Sequence, residues 1–348
     1  MTDSTRQPAP AASAGPAEAA PAPGGSAGAR RIRRITRALT GIAPIFIVLI
    51  VLLVAIAILN PRANVTYYLT LLKRAAPLMV LAAGQLFVIV SGEFDLSVGS
   101  IITVFVVSAA LFTMGDPDAT YIAIAMVMVL GVVVGVVNGV VTTRLGVPSF
   151  ITTLGMLFVL AGGVRLLTAG SPRGDLPPNL RVIGRGGFEA PLIGEVPWAV
   201  VVLLIVGLVS FWLMHRTNYG RRLFAVGGNA RAAALSGVDV PAVRTIAFVL
   251  SAVSAVIAGL LVAGFGGLAN SAGEGYEFQA ISAVVLGGAV LGGGRGSIPT
   301  AMAGALTLEV LFTVLNLLRF PPEIRTTVQG LIVIGAVAYA SFRLRRAG

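Results

Sequence analysis

Apolar runs long enough to cross a lipid bilayer follow one another through most of this chain, with little polar sequence between them. They fall at 42–59, 76–91, 97–114, 120–142, 150–168, 197–215, 243–268, 279–293, 298–318 and 324–342. A spanning helix needs about 20 mainly apolar residues to cross a hydrocarbon core of about 30 Å. Backbone polar groups find no water there, so each spanning segment must satisfy its hydrogen bonds internally. The expectation is an all-α polytopic membrane protein with about ten transmembrane helices.

Composition agrees with this reading. Of 348 residues, 56% are hydrophobic and 11% charged, against about 25% charged in an ordinary soluble domain. The mean hydropathy is +0.93. Little sequence is left for a soluble domain, so residues 30–348 read as one membrane domain. The chain has no cysteine, which excludes disulfides, thiolate metal sites and cysteine nucleophiles. His215 is the sole histidine, a poor inventory for a zinc centre or a histidine-based triad. The formal charge of +11 does not indicate nucleic acid, because the arginines lie between apolar segments, where they orient a membrane protein.

Residues 1–29 are rich in Pro, Ala, Gly and Ser and cannot bury enough surface to offset the entropy of ordering, so they read as a disordered cytoplasmic tail. Arg30, Arg31, Arg33, Arg34 and Arg37 precede the first apolar run. That run is long for a signal peptide and reads as an uncleaved anchor. An even number of spans puts both ends on one side, and Arg343, Arg345 and Arg346 assign that side to the cytoplasm. Lys73, Arg74, Arg165, Arg173, Arg181 and Arg185 fall on the opposite side and work against this orientation. The preference for Arg over Lys, with abundant Ala and Gly, points to a GC-rich bacterium and its plasma (inner) membrane.

Gly131, Gly135 and Gly139 recur every fourth residue in one span, the spacing that lets another helix backbone approach closely. An acidic-aromatic turn occurs at Glu93-Phe94-Asp95 and again at residues 274–278, ahead of spans of opposite direction. An inverted repeat leaves echoes of this kind. The only lysine, Lys73, has no glycine-rich loop before it, so the chain lacks a Walker motif. The cluster Gly292-Gly293-Gly294-Arg295-Gly296 lacks the spacing of a dinucleotide fold and reads as a tight interhelical turn.

Two segments carry mechanism. In 92–100, Asp95 and Ser97 at a helix start can satisfy free N–H groups and complement the helix dipole. Ionisable groups at membrane edges also mark pathways, which makes Glu93, Phe94, Asp95, Ser97 and Ser100 candidates for the translocation path. The second segment, 218–244, is the longest polar inner loop. Asn229 can cap a short helix over 230–236 that Gly237 stops, and a second helix can start at Pro241. Such a rigid knob suits a membrane protein that receives force from a cytoplasmic partner.

The blocks 92–100, 147–155, 220–240 and 273–304 together resemble the permease subunits of ABC importers for ribose and related monosaccharides, over a stretch from about Tyr67 to the C-terminus. The resemblance implies a type II importer fold and pairing with a second permease subunit, identical or different. It also implies separate ATPase subunits carrying ATP and Mg, and an extracytoplasmic sugar-binding protein; this chain itself holds no cofactor. The family's coupling element maps onto Gly228, Asn229, Ala232, Ala233, Leu235, Ser236 and Gly237. Glu93-Phe94 departs from the family pattern, where a glycine and an aliphatic residue are common before Asp95. Relatives carry nucleosides, autoinducer sugars or branched-chain amino acids as well as monosaccharides.

Three other classes compete. An ion-coupled carrier would need ionisable residues deep in the spans, and only Glu309 and Arg165 are candidates, with Glu309 expected to pair with Asn316 or neighbouring backbone. A membrane enzyme would need convergent acids and bases, whereas His215 beside Arg216 reads as interfacial. A purely structural subunit would carry no solute.

Overall fold

A computed structural model describes residues 44–191, 194–321 and scattered positions between 323 and 335. The tail 1–29, the arginine-rich segment after it and most of the last predicted span, 324–342, lie outside the described residues. Those described form helices α1 (Pro44–Leu59), α2 (Val65–Val90), α3 (Val98–Thr113), α4 (Thr120–Thr143), α5 (Ser149–Thr168) and α6 (Pro178–Arg185). A hairpin of β1 (Gly187–Ala190) and β2 (Gly194–Pro197) follows. The chain continues through α7 (Trp198–Arg216), α8 (Asn218–Gly228), α9 (Ala230–Leu235), α10 (Val240–Gly266), α11 (Tyr276–Leu286) and α12 (Ile298–Leu317). Of these, 6 are long and apolar enough to cross a membrane, and α1, α3 and α11 are shorter apolar helices.

α2 and α10 form the centre. Asn64 starts α2 by accepting a hydrogen bond from the Tyr67 N–H at 2.9 Å. The helix runs 26 residues, about 39 Å, so it begins well before the expected 76. From Ala75 to Val90 every residue is buried. This explains Lys73, which read as misplaced: its ammonium donates to the Arg185 carbonyl at 3.2 Å and so closes the C-terminus of α6. Arg74 lies beside Arg62, Asn64 and Thr70 along an open cavity of about 410 Å³ on the same side.

The glycine stripe of α4 finds its partner in α10. A Cβ at Gly135 would stand 2.7 Å from the Val249 Cα, and one at Gly139 2.6 Å from the Thr245 Cα. Neither position admits a side chain, and the two backbones touch. α1 lies outside this centre, burying Ile45, Leu49 and Ile56, with Leu49 and Ile56 clustered on Val310 and Val314 of α12. Its other faces expose Ile50, Val51 and Ile58, as a lipid-facing helix must.

Two loop regions are more ordered than expected. Residues 169–197 contain α6 and the β1–β2 hairpin, paired antiparallel with Phe188 opposite Val196. These small strands are the one departure from an all-α fold among the described residues. Residues 218–228 form α8, capped by the Thr217 hydroxyl, which accepts from the Gly220 N–H at 3.3 Å. The predicted span 279–293 is shorter than its hydropathy suggested. α11 ends at Leu286 because Gly288, Gly293 and Gly294 take left-handed backbone (φ +88°, +89° and +72°) and fold the chain into a turn. The apolar Ala289, Val290 and Leu291 pack in that turn and carried the hydropathy signal onward.

Candidate functional site: an interhelical turn welded to a surface knob

The knob is built as its sequence dictates. Asn229 Oδ1 accepts from the Ala232 N–H at 2.9 Å, Gly237 ends the element with φ +82°, and Asp239 caps α10 by accepting from the Ala242 N–H at 3.0 Å. α9 turns Ala233 inward at 5% exposure and leaves Leu235 85% exposed. Ala232, Ser236 and Gly237 are exposed beside it, and space around Gly228 is open. Arg221 and Arg222 on α8 and Arg231 on α9 are exposed.

The base of the knob is fixed. The Tyr219 ring lies 6.3 Å from that of Phe87 on α2, and its hydroxyl donates to the Val243 carbonyl at 3.2 Å. Burial pushes that hydroxyl far above the usual tyrosine range, so it stays a donor. A Cβ at Gly227 would collide with the Val90 carbonyl and the Gly294 amide. The Gly294 N–H donates to the same Val90 carbonyl at 2.9 Å. The end of α8, the end of α2 and the 287–297 turn thus meet through bare backbone.

Beyond Val90 the non-helical segment 91–97 turns the chain from α2 into α3, which runs back to the α6 side, where the Gly115 N–H donates to the Asp175 carbonyl at 3.0 Å. Glu93, Phe94, Asp95 and Ser97 lie in this turn, and Ser100 in the first turn of α3. Glu93 Oε1 lies 2.7 Å from Arg244 Nη1 in the first turns of α10. The Phe94 N–H donates to Ser149 Oγ at 3.1 Å, which pins the turn to the start of α5. Asp95 and Ser97 are fully buried. Asp95 Oδ1 accepts from the Ser97 N–H at 3.0 Å and the Ser97 hydroxyl at 2.6 Å, and Asn138 Nδ2 donates to Ser97 Oγ at 3.0 Å. Asp95 thus supplies the helix-start bond, while Ser97 makes no side-chain cap and joins α3 to α4. Ser100 Oγ donates to the Leu157 carbonyl of α5 at 3.1 Å.

The second acidic-aromatic echo packs on the first turns of α3, the helix that follows the first echo. A Cβ at Gly99 would collide with the Glu277 carboxylate and stand 2.6 Å from the Gly273 carbonyl, and the Gly273 N–H donates to Thr103 Oγ1 at 3.0 Å. Sequence showed the echoes but not the approach of Glu277 to Gly99, since no local rule pairs residues so far apart in the chain. Arg244 was missed as a functional residue; its place at a helix start beside the knob was the available signal. His215 packs between Phe211 and Phe224, with centroid distances of 4.9 and 6.1 Å. Among the described residues, no three His, Cys, Asp or Glu side chains gather as metal ligands.

Long apolar helices, a buried non-helical turn between two of them and a rigid knob at the edge of the bundle define a multi-pass membrane transport subunit. Residues 67–337 match the family described as the permease component of the branched-chain amino acid transport system. The chain belongs to that family, and as a permease component it is a transport subunit and not an enzyme. It is 34% identical over 285 residues to the ribose import permease protein RbsC of Escherichia coli K12, covering 81% of this chain and 88% of that one. It is 34% identical to RbsC of Bacillus subtilis over 286 residues, 81% of this chain and 87% of the relative. With the galactofuranose transporter permease protein YtfT of E. coli it shares 34% identity over 276 residues, 78% and 79% of the two chains. No solved structure matches the chain.

Proposed function

We propose that this chain is the membrane-spanning permease subunit of an ATP-driven importer of type II fold, forming the path for a ribose-like monosaccharide in a bacterial plasma membrane. An extracytoplasmic binding protein delivers the sugar, a second permease subunit completes the path, and ATPase subunits holding ATP and Mg drive it. Both chain ends lie on the cytoplasmic side, the side of α8 and α9. The ATPase engages Gly228, Asn229, Ala232, Ala233, Leu235, Ser236 and Gly237. Glu93, Phe94, Asp95, Ser97 and Ser100 form the wall segment that its movement shifts, with Asp95 as internal anchor.

One observation carries this reading: α9 presents Leu235 at 85% exposure on a knob whose base meets the end of α2 and the 287–297 turn backbone to backbone at Gly227, Val90 and Gly294. Force on the knob reaches the 91–97 turn at the end of α2 through contacts that have no side-chain slack. The test is ribose uptake by proteoliposomes holding the permease, its ATPase and its binding protein. ATP-dependent accumulation is expected; uptake driven by an ion gradient without ATP would overturn the proposal.

A further inference from the structure

The segment between α10 and α11 enters the bundle without helical structure. α10 ends beside α6, where a Cβ at Gly184 would lie 2.6 Å from the Gly264 Cα. Asn270 Nδ2 then donates to Thr168 Oγ1 at the end of α5 (3.0 Å), and the Gly273 N–H reaches Thr103 Oγ1 in the second turn of α3 (3.0 Å). The chain has thus passed from the hairpin side into the interior. α11 completes the crossing in 11 residues, about 16 Å, half a hydrocarbon core. Residues 267–275 are therefore irregular backbone at membrane depth, which a bilayer tolerates only where protein buries it or water bathes it.

Burial accounts for part of the segment. Gly273 is buried against Gly99, and Glu277 is 6% exposed, its Oε1 accepting from the Gly275 N–H at 3.3 Å. Ser271 and Glu274 are exposed, and Phe278, one turn into α11, is 53% exposed. Glu274 makes no ion pair among the described residues. An unpaired carboxylate facing hydrocarbon would be prohibitively costly, so the surface bearing it faces water.

We infer that Ser271, Glu274 and Phe278 line the aqueous translocation path, with the Glu274 carboxylate accepting hydrogen bonds from the hydroxyls of the passing solute and the Phe278 ring offering an apolar platform to its C–H face. The inference rests on the permease reading above and adds the cargo-facing side chains to it.

The absence of cysteine makes the test direct. Glu274→Cys, Ser271→Cys and Leu208→Cys are treated in membranes with a charged, membrane-impermeant methanethiosulfonate; Leu208 is 68% exposed in the middle of α7 and serves as the lipid-facing control. E274C and S271C are expected to react about tenfold faster than L208C or more, and modified S271C to lose ribose uptake in the complete importer. Equal reactivity of E274C and L208C would overturn the lining, as would unchanged uptake by fully modified S271C. Glu274→Leu is expected to lower ribose uptake about tenfold or more at equal complex assembly, and wild-type uptake would overturn the hydroxyl-acceptor role. The labelling contrast requires no cargo: if the unmodified importer moves no ribose, fast E274C labelling still upholds the lining and only the sugar reading fails.

Discussion

Arg244 Nη1 stands 2.7 Å from Glu93 Oε1, joining the first turns of α10 to the turn between α2 and α3. Both side chains are largely buried, at 24% and 13% exposure, so the pair is less screened than a surface salt bridge, and removing one partner strands the other. Glu93 is also where the sequence departs from the pattern of the family it resembles, and the structure gives that departure a partner.

Glu93→Gln is expected to reduce ribose transported per ATP hydrolysed by about tenfold or more, from the loss of roughly 1.5–3 kcal/mol for a charged hydrogen bond. Exchanging the charges, Glu93→Arg with Arg244→Glu, is expected to recover part of that coupling. Paired uptake and ATPase measurements on the same proteoliposomes check both, and equal coupling in all three proteins would refute the role.

Leu235→Asp places a charge at the tip of the knob without disturbing the buried Ala233 behind it. The permease is expected to reach the membrane and keep its thermal stability while losing about tenfold or more in affinity for the ATPase, as anchors at interface centres do. Co-purification with the ATPase and a melting curve measure the two properties separately.

Asn229→Ala removes the bond to the Ala232 N–H and is expected to destabilise α9 by about 1 kcal/mol. Asn229→Asp keeps the acceptor and should restore it. Amide hydrogen exchange over 230–236 is the readout: faster exchange in the alanine variant alone is expected, and identical exchange in all three would remove the cap from the account.

Gly139→Ala forces a methyl group to within 2.6 Å of the Thr245 Cα. The α4–α10 contact must open, at a cost of about 1–3 kcal/mol. Gly155→Ala on α5 meets nothing within 4 Å and should be neutral or stabilising by up to about 1 kcal/mol. Thermal unfolding in detergent should therefore drop for the first variant and hold or rise for the second.

Much of the architecture was legible because bilayer and helix-end rules act on neighbouring residues. The spans stand out since each must satisfy its own backbone in hydrocarbon. The caps at Asn229 and Gly237 could be read because a cap bonds within one turn of itself. Hydropathy misled at 279–293, where left-handed glycines turn the chain while apolar side chains continue, and at α8, whose polar composition concealed a helix.

By itself the sequence determined that this chain lives in a bilayer, roughly where it crosses, and that 228–237 forms a capped knob. Only the tertiary structure decided that Glu93 meets Arg244, that the α4 glycines receive α10, and that 267–275 dips into the bundle beside Gly99. The difference is physical: the solvent acts on each segment separately, whereas these contacts arise from how finished helices pack, which depends on residues distant in the chain.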